Sequence, residues 1–543
     1  MKRSWLTLVF SFVLILSANA QNYFWIAFTD KTGSAYSIDQ PEEFLSDRAI
    51  ERRNRQNIPI DSLDLPVSQS YIDSVLTLDV SLVHASKWLN GMTVATSYET
   101  LDFLLDWSFV KFVQLTKPGM MTKSTHRKFA EESEAEDFPI DTSYYGNSVY
   151  QVGMLNGQFL HNKDFKGQGM WIAVLDAGFY KADSLPAFDS LWADNRILGT
   201  RDFVNPESDI WSTNYHGMSV LSCMGGNIPG ELIGTAPAAS YLLLRSEDNE
   251  SEYIIEEDNW AVAAEYADSM GVDVINSSLG YYTFDDPSTD HTYADMDGHT
   301  TRVTQAANIA ASRGMLVFSS AGNERNKSWF RIIAPSDGYK VMGVGAVDKN
   351  LVPAAFSSAG PAADGSVKPN VAAMGDHTTL QVSSGIVGVN SGTSFSSPVM
   401  AGMAASLWSM FPTKTAEEIK EAIEMSASQY NTPDSLVGYG IPNMKTAAEL
   451  LGYQSIENTE IISNWKIYPN PVKDQLVISS LDNNYSDLQI GLFTLSGNRL
   501  KSWVRKNNSK VIINDLPALT TGIYLLRLNN GTRMESFKLN VIK

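Results

Sequence analysis

Three patterns of apolar and polar positions follow one another along the chain. Residues 21 to about 118 predict the order β-α-β-β-α-β. Tyr23 to Phe28 reads as a strand and Pro41 to Gln56 as a charged helix. Ser81 to Leu89 and Met92 to Thr96 read as paired strands around the Asn90-Gly91 turn, Tyr98 to Trp107 as a short helix and Val110 to Leu115 as a last strand. That order is the ferredoxin-like, split βαβ one. From about 140 to 452 the pattern changes to short apolar runs such as Trp171 to Leu175, Tyr241 to Leu244, Val272 to Ile275 and Met315 to Phe318. Helical stretches lie between them, including Asn259 to Met270 and Thr301 to Arg313. Apolar strands alternating with helices predict a doubly wound α/β domain, its mainly parallel sheet covered on both faces. From 465 to the end, short alternating strands separated by turn residues predict a small all-β sandwich.

The ends of these regions have their own character. Lys2 and Arg3, the apolar run Trp5 to Leu16 and Ala18-Asn19-Ala20 read as a secretory signal over 1–20. The apolar run is shorter than the ~20 residues a span needs, so cleavage is expected rather than anchoring, and no later segment is long enough to cross a bilayer. Residues 21–120 form the first domain and 121–139 an acidic linker, expected to be solvated and open to proteolysis. The α/β domain takes 140–452, a second linker 453–464, and the β module 465–543.

Charge and cysteine content narrow the chemistry. The 543 residues carry a net charge of −20, which argues against a nucleic-acid partner. The β module departs from this balance, with Lys and Arg outnumbering Asp and Glu across 465–543. A single cysteine, Cys223, excludes an intramolecular disulfide, and it reads as a small buried residue near His216. No histidine pattern of a catalytic zinc site occurs, and no cofactor is expected. Asp285, Asp286, Asp290, Asp295 and Asp297 concentrate carboxylates where a structural calcium is possible, though the full loop spacing is missing. Asp297 also fits as the cap of a helix starting near Thr300, and His291 and His299 read as surface residues.

In a parallel sheet, reactive groups gather at the carboxyl ends of the strands. Asp176 follows the run Trp171 to Leu175, His216 opens a helix, and Ser394 precedes the helical run Val399 to Met410. A hydroxyl nucleophile needs a base to take its proton and a third group to orient that base. A serine at a helix N-terminus also sits in positive potential. Asn323, after Ser319-Ser320-Ala321-Gly322, can donate to an oxyanion beside the Ser394 N–H.

Asp-Ala-Gly, His-Gly-Met, Ala-Gly-Asn and Gly-Thr-Ser-Phe-Ser-Ser-Pro, in this order, resemble the subtilase family of serine peptidases. The order Asp, His, Ser is the one known for subtilisin. The resemblance covers roughly 145 to 452 and implies an endopeptidase working through Asp176, His216, Ser394 and Asn323 on protein or peptide substrates. It further implies that Ser278, Leu279 and Gly280 pair with an extended substrate, and that Ser320 and Gly322 help wall its pocket. Residues 21–120 resemble a subtilase propeptide that assists folding and then caps the active site. The tail, with Tyr468-Pro469-Asn470-Pro471 and Gly522-Ile523-Tyr524, resembles the type A sorting domain of the type IX secretion system of Bacteroidetes. Together these imply secretion through both membranes, with the chain's own propeptide and the secretion machinery as partners. Ala177 stands where many subtilases carry Ser or Thr, so backbone N–H groups must serve the carboxylate. The competing readings are an inactive subtilase-fold adhesion module, which the intact triad argues against, and a serine esterase. The esterase motif Gly-x-Ser-x-Gly is absent, since the chain reads Gly392-Thr393-Ser394-Phe395-Ser396.

Overall fold

The structure is a computed structural model that describes residues 21–119, 128–129, 144–454, 465–480, 487–495, 497–506, 509–531 and 534–542. The signal segment 1–20 and most of the acidic linker lie outside the described residues. The chain divides into two compact units, one ending at Tyr453 and one beginning at Gln454.

The first part of the larger unit is a four-stranded antiparallel sheet: β1 (Asn22–Phe28), β2 (Val80–Ser86), β3 (Gly91–Thr96) and β4 (Val110–Lys117), in the order β2-β3-β1-β4. Between β1 and β2 run the helices α1 (Asp47–Arg55) and α2 (Gln69–Val75). The sequence pattern missed α2, whose apolar residues Ile72 and Val75 are too few to make a periodic signal. Pro41 to Gln56 splits into a 3-10 turn at Pro41–Glu43 and α1, capped where the Ser46 hydroxyl accepts from the Ala49 N–H. The helix expected over Tyr98 to Trp107 is only a 3-10 segment, Asp102–Asp106.

The second part holds seven parallel strands: β5 (Trp171–Asp176), β6 (Ile197–Asp202), β7 (Ser240–Arg245), β8 (Val274–Ser277), β9 (Leu316–Ser320), β10 (Met342–Val347) and β11 (Val371–Met374). Their order is β11-β10-β9-β8-β5-β7-β6. The chain turns one way from β5 to reach β7 and β6 and the other way to reach β8 through β11, so the crevice between β5 and β8 is the switch point where such sheets bind ligands. Alternation along β5 serves both faces. Ile172 and Val174 join the core shared with α3 (His216–Gly225) and α6 (Thr393–Met410). Ala173 and Leu175 join the core shared with α4 (Ile255–Met270) and α5 (Arg302–Ser312). Helix α6 is buried on all sides from Thr393 to Trp408, which explains why its sequence has no polar stripe.

The smaller unit contains a three-stranded antiparallel sheet (Trp465–Tyr468, Leu476–Ser480, Lys510–Ile513) and a four-stranded one (Leu488–Thr494, Arg499–Arg505, Gly522–Asn529, Met534–Val541). Leu476 and Ile478 from the first and Ile490, Leu492, Leu526 and Leu539 from the second form one core. Among the described residues no helix is long and apolar enough to cross a membrane.

Candidate active site

Asp176 is the last residue of β5 and is fully buried. His216 is the first residue of α3, and its backbone N–H donates to Asn214 Oδ1 at 2.8 Å. Its Nδ1 lies 2.8 Å from Asp176 Oδ1, which also accepts the Ala177 N–H at 2.8 Å. The backbone therefore supplies what the missing hydroxyl at 177 would have supplied. Asp176 Oδ2 has no hydrogen-bond partner. Burial pushes the carboxyl pKa up, and the histidine pair and the Ala177 N–H pull it back. The aspartate can come this close only because residue 217 is glycine. A Cβ there would stand 2.4 Å from the Gly178 carbonyl and 2.8 Å from Asp176 Cβ.

Ser394 sits in the first turn of α6, where an N–H has no acceptor within the helix. Four residues on, Pro398 has no N–H to give the Ser394 carbonyl. Ser278 Oγ replaces that donor at 2.7 Å, and Ser394 Oγ donates in return to the Ser278 carbonyl at 3.3 Å. Ser278, just after β8, is thereby tied to the nucleophile's own turn. Asn276 Oδ1 accepts from Ser397 Oγ at 2.8 Å and fastens β8 to α6 a second time. The Thr393 N–H donates to Asn323 Oδ1 at 2.9 Å. A backbone N–H can only donate, so the facing atom must be the carbonyl oxygen and the Asn323 NH2 is the free end. Gly322, at φ +104°, makes the sharp turn from β9 into Asn323.

Ser278, Leu279, Gly280, Ser320, Gly322, Asn323 and Ser394 line one cavity of about 170 Å³. The sequence reading did not foresee two further wall residues, Lys128 and Phe129. They belong to the stretch expected to be solvated linker, and they are in the cleft instead. The Phe129 ring lies on the His216 imidazole with centroids 4.1 Å apart. Lys128 Nζ reaches Glu247 at 2.6 Å, Glu252 at 3.0 Å and Glu256 at 2.5 Å, and donates to the Asp248 carbonyl at 2.8 Å. Burial alone would lower this ammonium's pKa, but the three carboxylates raise it well above the usual lysine range. The dense acidic run Glu247 to Asp258 was the available signal, masked by the chain's general acidity.

Two other expectations, at Asp297 and His291, are corrected. Asp297 does not cap the helix near Thr300: it accepts the His299 and Thr300 N–H groups, and Thr301 caps α5 instead. His291 is half-buried and bonded to Glu257, whereas His299 is exposed. Among the described residues, Glu247, Glu252 and Glu256 place carboxylate oxygens close enough together to hold a metal ion. Cys223 is buried, its Sγ 3.5 Å from the Ser219 carbonyl, and burial pushes the thiol pKa up.

A parallel sheet whose switch point holds a buried aspartate–histidine pair and a helix-opening serine is the frame of a serine peptidase. The sequence profile of the subtilase family matches residues 167–440, and the chain belongs to that family. The profile of a Bacteroidota peptidase S8 propeptide domain matches 23–133, which includes Lys128 and Phe129, and that of a secretion-system C-terminal sorting domain matches 466–543. The chain is 28% identical to subtilisin E of Bacillus subtilis over 315 residues, 56% of this chain and 72% of the relative. It is 31% identical to a thermophilic serine proteinase of Bacillus sp. strain AK1 over 57% of this chain and 69% of that one. Among solved structures it is similar to MycP1 from the ESX-1 type VII secretion system, with TM-score 0.45 and 20% identity over 58% of this chain and 89% of that one. The protein is a serine-type endopeptidase, made with a propeptide and a sorting domain and exported to the medium or the cell surface.

Proposed function

We propose that this chain hydrolyses peptide bonds through an acyl-enzyme on Ser394, with His216 as base, Asp176 as its orienting group and Asn323 as an oxyanion donor. The observation that carries this reading is the 2.8 Å contact between Asp176 Oδ1 and His216 Nδ1, because it leaves Nε2 as the imidazole's free nitrogen. Nε2 takes the Ser394 proton as Oγ attacks the carbonyl, and passes it to the leaving amine. The buried Asp176 carboxylate stabilises the imidazolium between those steps. The Asn323 NH2 and the Ser394 N–H donate to the oxygen as it becomes negative. Water then repeats the sequence on the ester and frees Ser394. The bond from Ser394 Oγ to the Ser278 carbonyl fits an idling nucleophile while Phe129 covers His216. Ser278 to Gly280 supply the edge along which an extended peptide pairs, and Ser320 and Gly322 the nearby wall.

A fluorophosphonate probe tests this directly, since it reacts only with an activated serine. Labelling is expected on the peptide containing Ser394 and is expected to vanish in His216→Ala. An unlabelled Ser394 in folded protein freed of its propeptide contradicts the reading and favours a non-catalytic module.

A further inference from the structure

Lys128 Nζ is held by three largely buried carboxyl groups and the Asp248 carbonyl. Glu247 Oε1, Glu252 Oε2 and Glu256 Oε2 all face it. Glu247 Oε2 is engaged by the Tyr281 hydroxyl at 2.8 Å, so one carboxylate is held in place from behind. Glu252 Oε1 and Glu256 Oε1 are buried without a donor. Glu256 is fully buried at the start of α4, and burial pushes the Glu252 carboxyl up to about 8 against the pull of Lys128. Among the described residues, no other lysine or arginine pairs with these three glutamates. The propeptide profile includes Lys128, so this cation departs when the propeptide is released. Buried carboxyl groups left without their donor are costly, and they are best satisfied by another side chain that brings several N–H donors.

The same cavity contains Ser394, Gly280 and Asn323, so whatever refills the cluster lies along the path of a bound peptide. We propose that Glu247, Glu252 and Glu256 form a specificity subsite for a lysine or arginine side chain of the substrate, and that Lys128 occupies it beforehand as a substrate mimic. This rests on the peptidase reading above and adds the chemical class of side chain selected. Arginine suits the site as well as lysine, because its extra N–H groups can reach the two carboxylate oxygens that Lys128 leaves unpaired. The neighbouring Lys117, 3.0 Å from Asp248, continues the match between basic propeptide residues and this acidic loop.

Mature protein, separated from its cut propeptide, tests the subsite with internally quenched peptides. Lysine, arginine or norleucine is placed in turn at each position on the acyl side of the scissile bond. At one position the basic residues are expected to raise kcat/KM over norleucine by about 10- to 100-fold, the range of a charged hydrogen bond. In Glu252→Gln and Glu256→Gln that ratio is expected to fall toward one. Glu252 is the less buried of the two, so Glu252→Gln carries the test if Glu256→Gln fails to fold. Fluorophosphonate titration of Ser394 accompanies each assay. If Ser394 is unlabelled, the peptidase reading and the subsite fall together. If it is labelled but lysine and norleucine are cut alike, the subsite alone falls. Calcium that raises the melting temperature of the wild type but not of Glu256→Gln, with no lysine preference, overturns the proposal in favour of a metal site.

Discussion

Two of the charged places where the propeptide touches the peptidase domain have opposite balances. On the helix side one buried carboxylate, Asp268, meets three cations of the propeptide: Arg52, Arg53 at 2.8 Å and Lys87 at 3.2 Å. In the cleft one cation, Lys128, meets three carboxylates. The helix-side contact also caps helix ends. Arg48 Nε donates to the Gly271 carbonyl at 2.9 Å, just past α4, and Gln56 Nε2 to the Gly314 carbonyl at 2.7 Å, just past α5. Those carbonyls and Asp268 lie on the outside of the domain, where water replaces the propeptide when it leaves. Glu247 and Glu252 line the cavity that holds Ser394, where a substrate side chain can replace Lys128. The first contact therefore holds the propeptide, and the second imitates what the enzyme binds.

Three measurements break or sharpen that comparison. The largest effect is expected at the holding contact. Asp268→Ala leaves Arg52 and Arg53 buried without their shared carboxylate, a loss of about 3–5 kcal/mol. The cut propeptide is then expected to separate from the mature domain on size exclusion, where the wild type retains it. Retention in the variant would show that the cleft, not the helix face, supplies the affinity. Next, Asn323→Ala removes an oxyanion donor without touching the propeptide contacts. Turnover is expected to fall by roughly 10²- to 10³-fold with KM little changed. Unchanged kcat with a lowered melting temperature would make Asn323 only a strut for Thr393.

The smallest effect is expected away from both contacts. His161 is buried, with Nε2 3.1 Å from the Thr235 carbonyl and Nδ1 3.1 Å from the Tyr145 hydroxyl. The carbonyl can only accept, so Nε2 carries the proton and Nδ1 is the acceptor for Tyr145. Burial lowers its pKa to about 4, below the ~6.5 of an unfolded histidine. The unfolded chain thus binds the extra proton first, so stability is full above ~6.5 and declines as pH falls toward about 4. His161→Gln is expected to be less stable at neutral pH but to lose less over that interval. An equal loss in both proteins would assign the acid sensitivity elsewhere.

Much of this was legible in the sequence because parallel strands buried on both faces leave unbroken apolar runs. Asp176, His216, Asn323 and Ser394 could be proposed from the sequence because each stands where such a run ends or a helix begins. The strands β6, β10 and β11 were missed. Glycines interrupt Ile197–Asp202 and Met342–Val347, and Val371–Met374 is short and alanine-rich. Lys128 and Phe129 were illegible for another reason. Nothing local marks them: the role of Lys128 arises from glutamates more than 100 positions away in the chain, and that of Phe129 from His216. The tie between Ser278 and Ser394 was half visible, since Pro398 announces a carbonyl without a helical donor but not what replaces the donor.

The central claim is that Ser394 cuts the chain that carries it. Intact-mass analysis of refolded full-length protein tests this most directly, comparing the wild type with Ser394→Ala. The wild type is expected to give a mature form and a separate propeptide, and Ser394→Ala one uncut mass with the same circular dichroism. A cut propeptide in refolded Ser394→Ala, at the wild-type position and rate, would contradict the account.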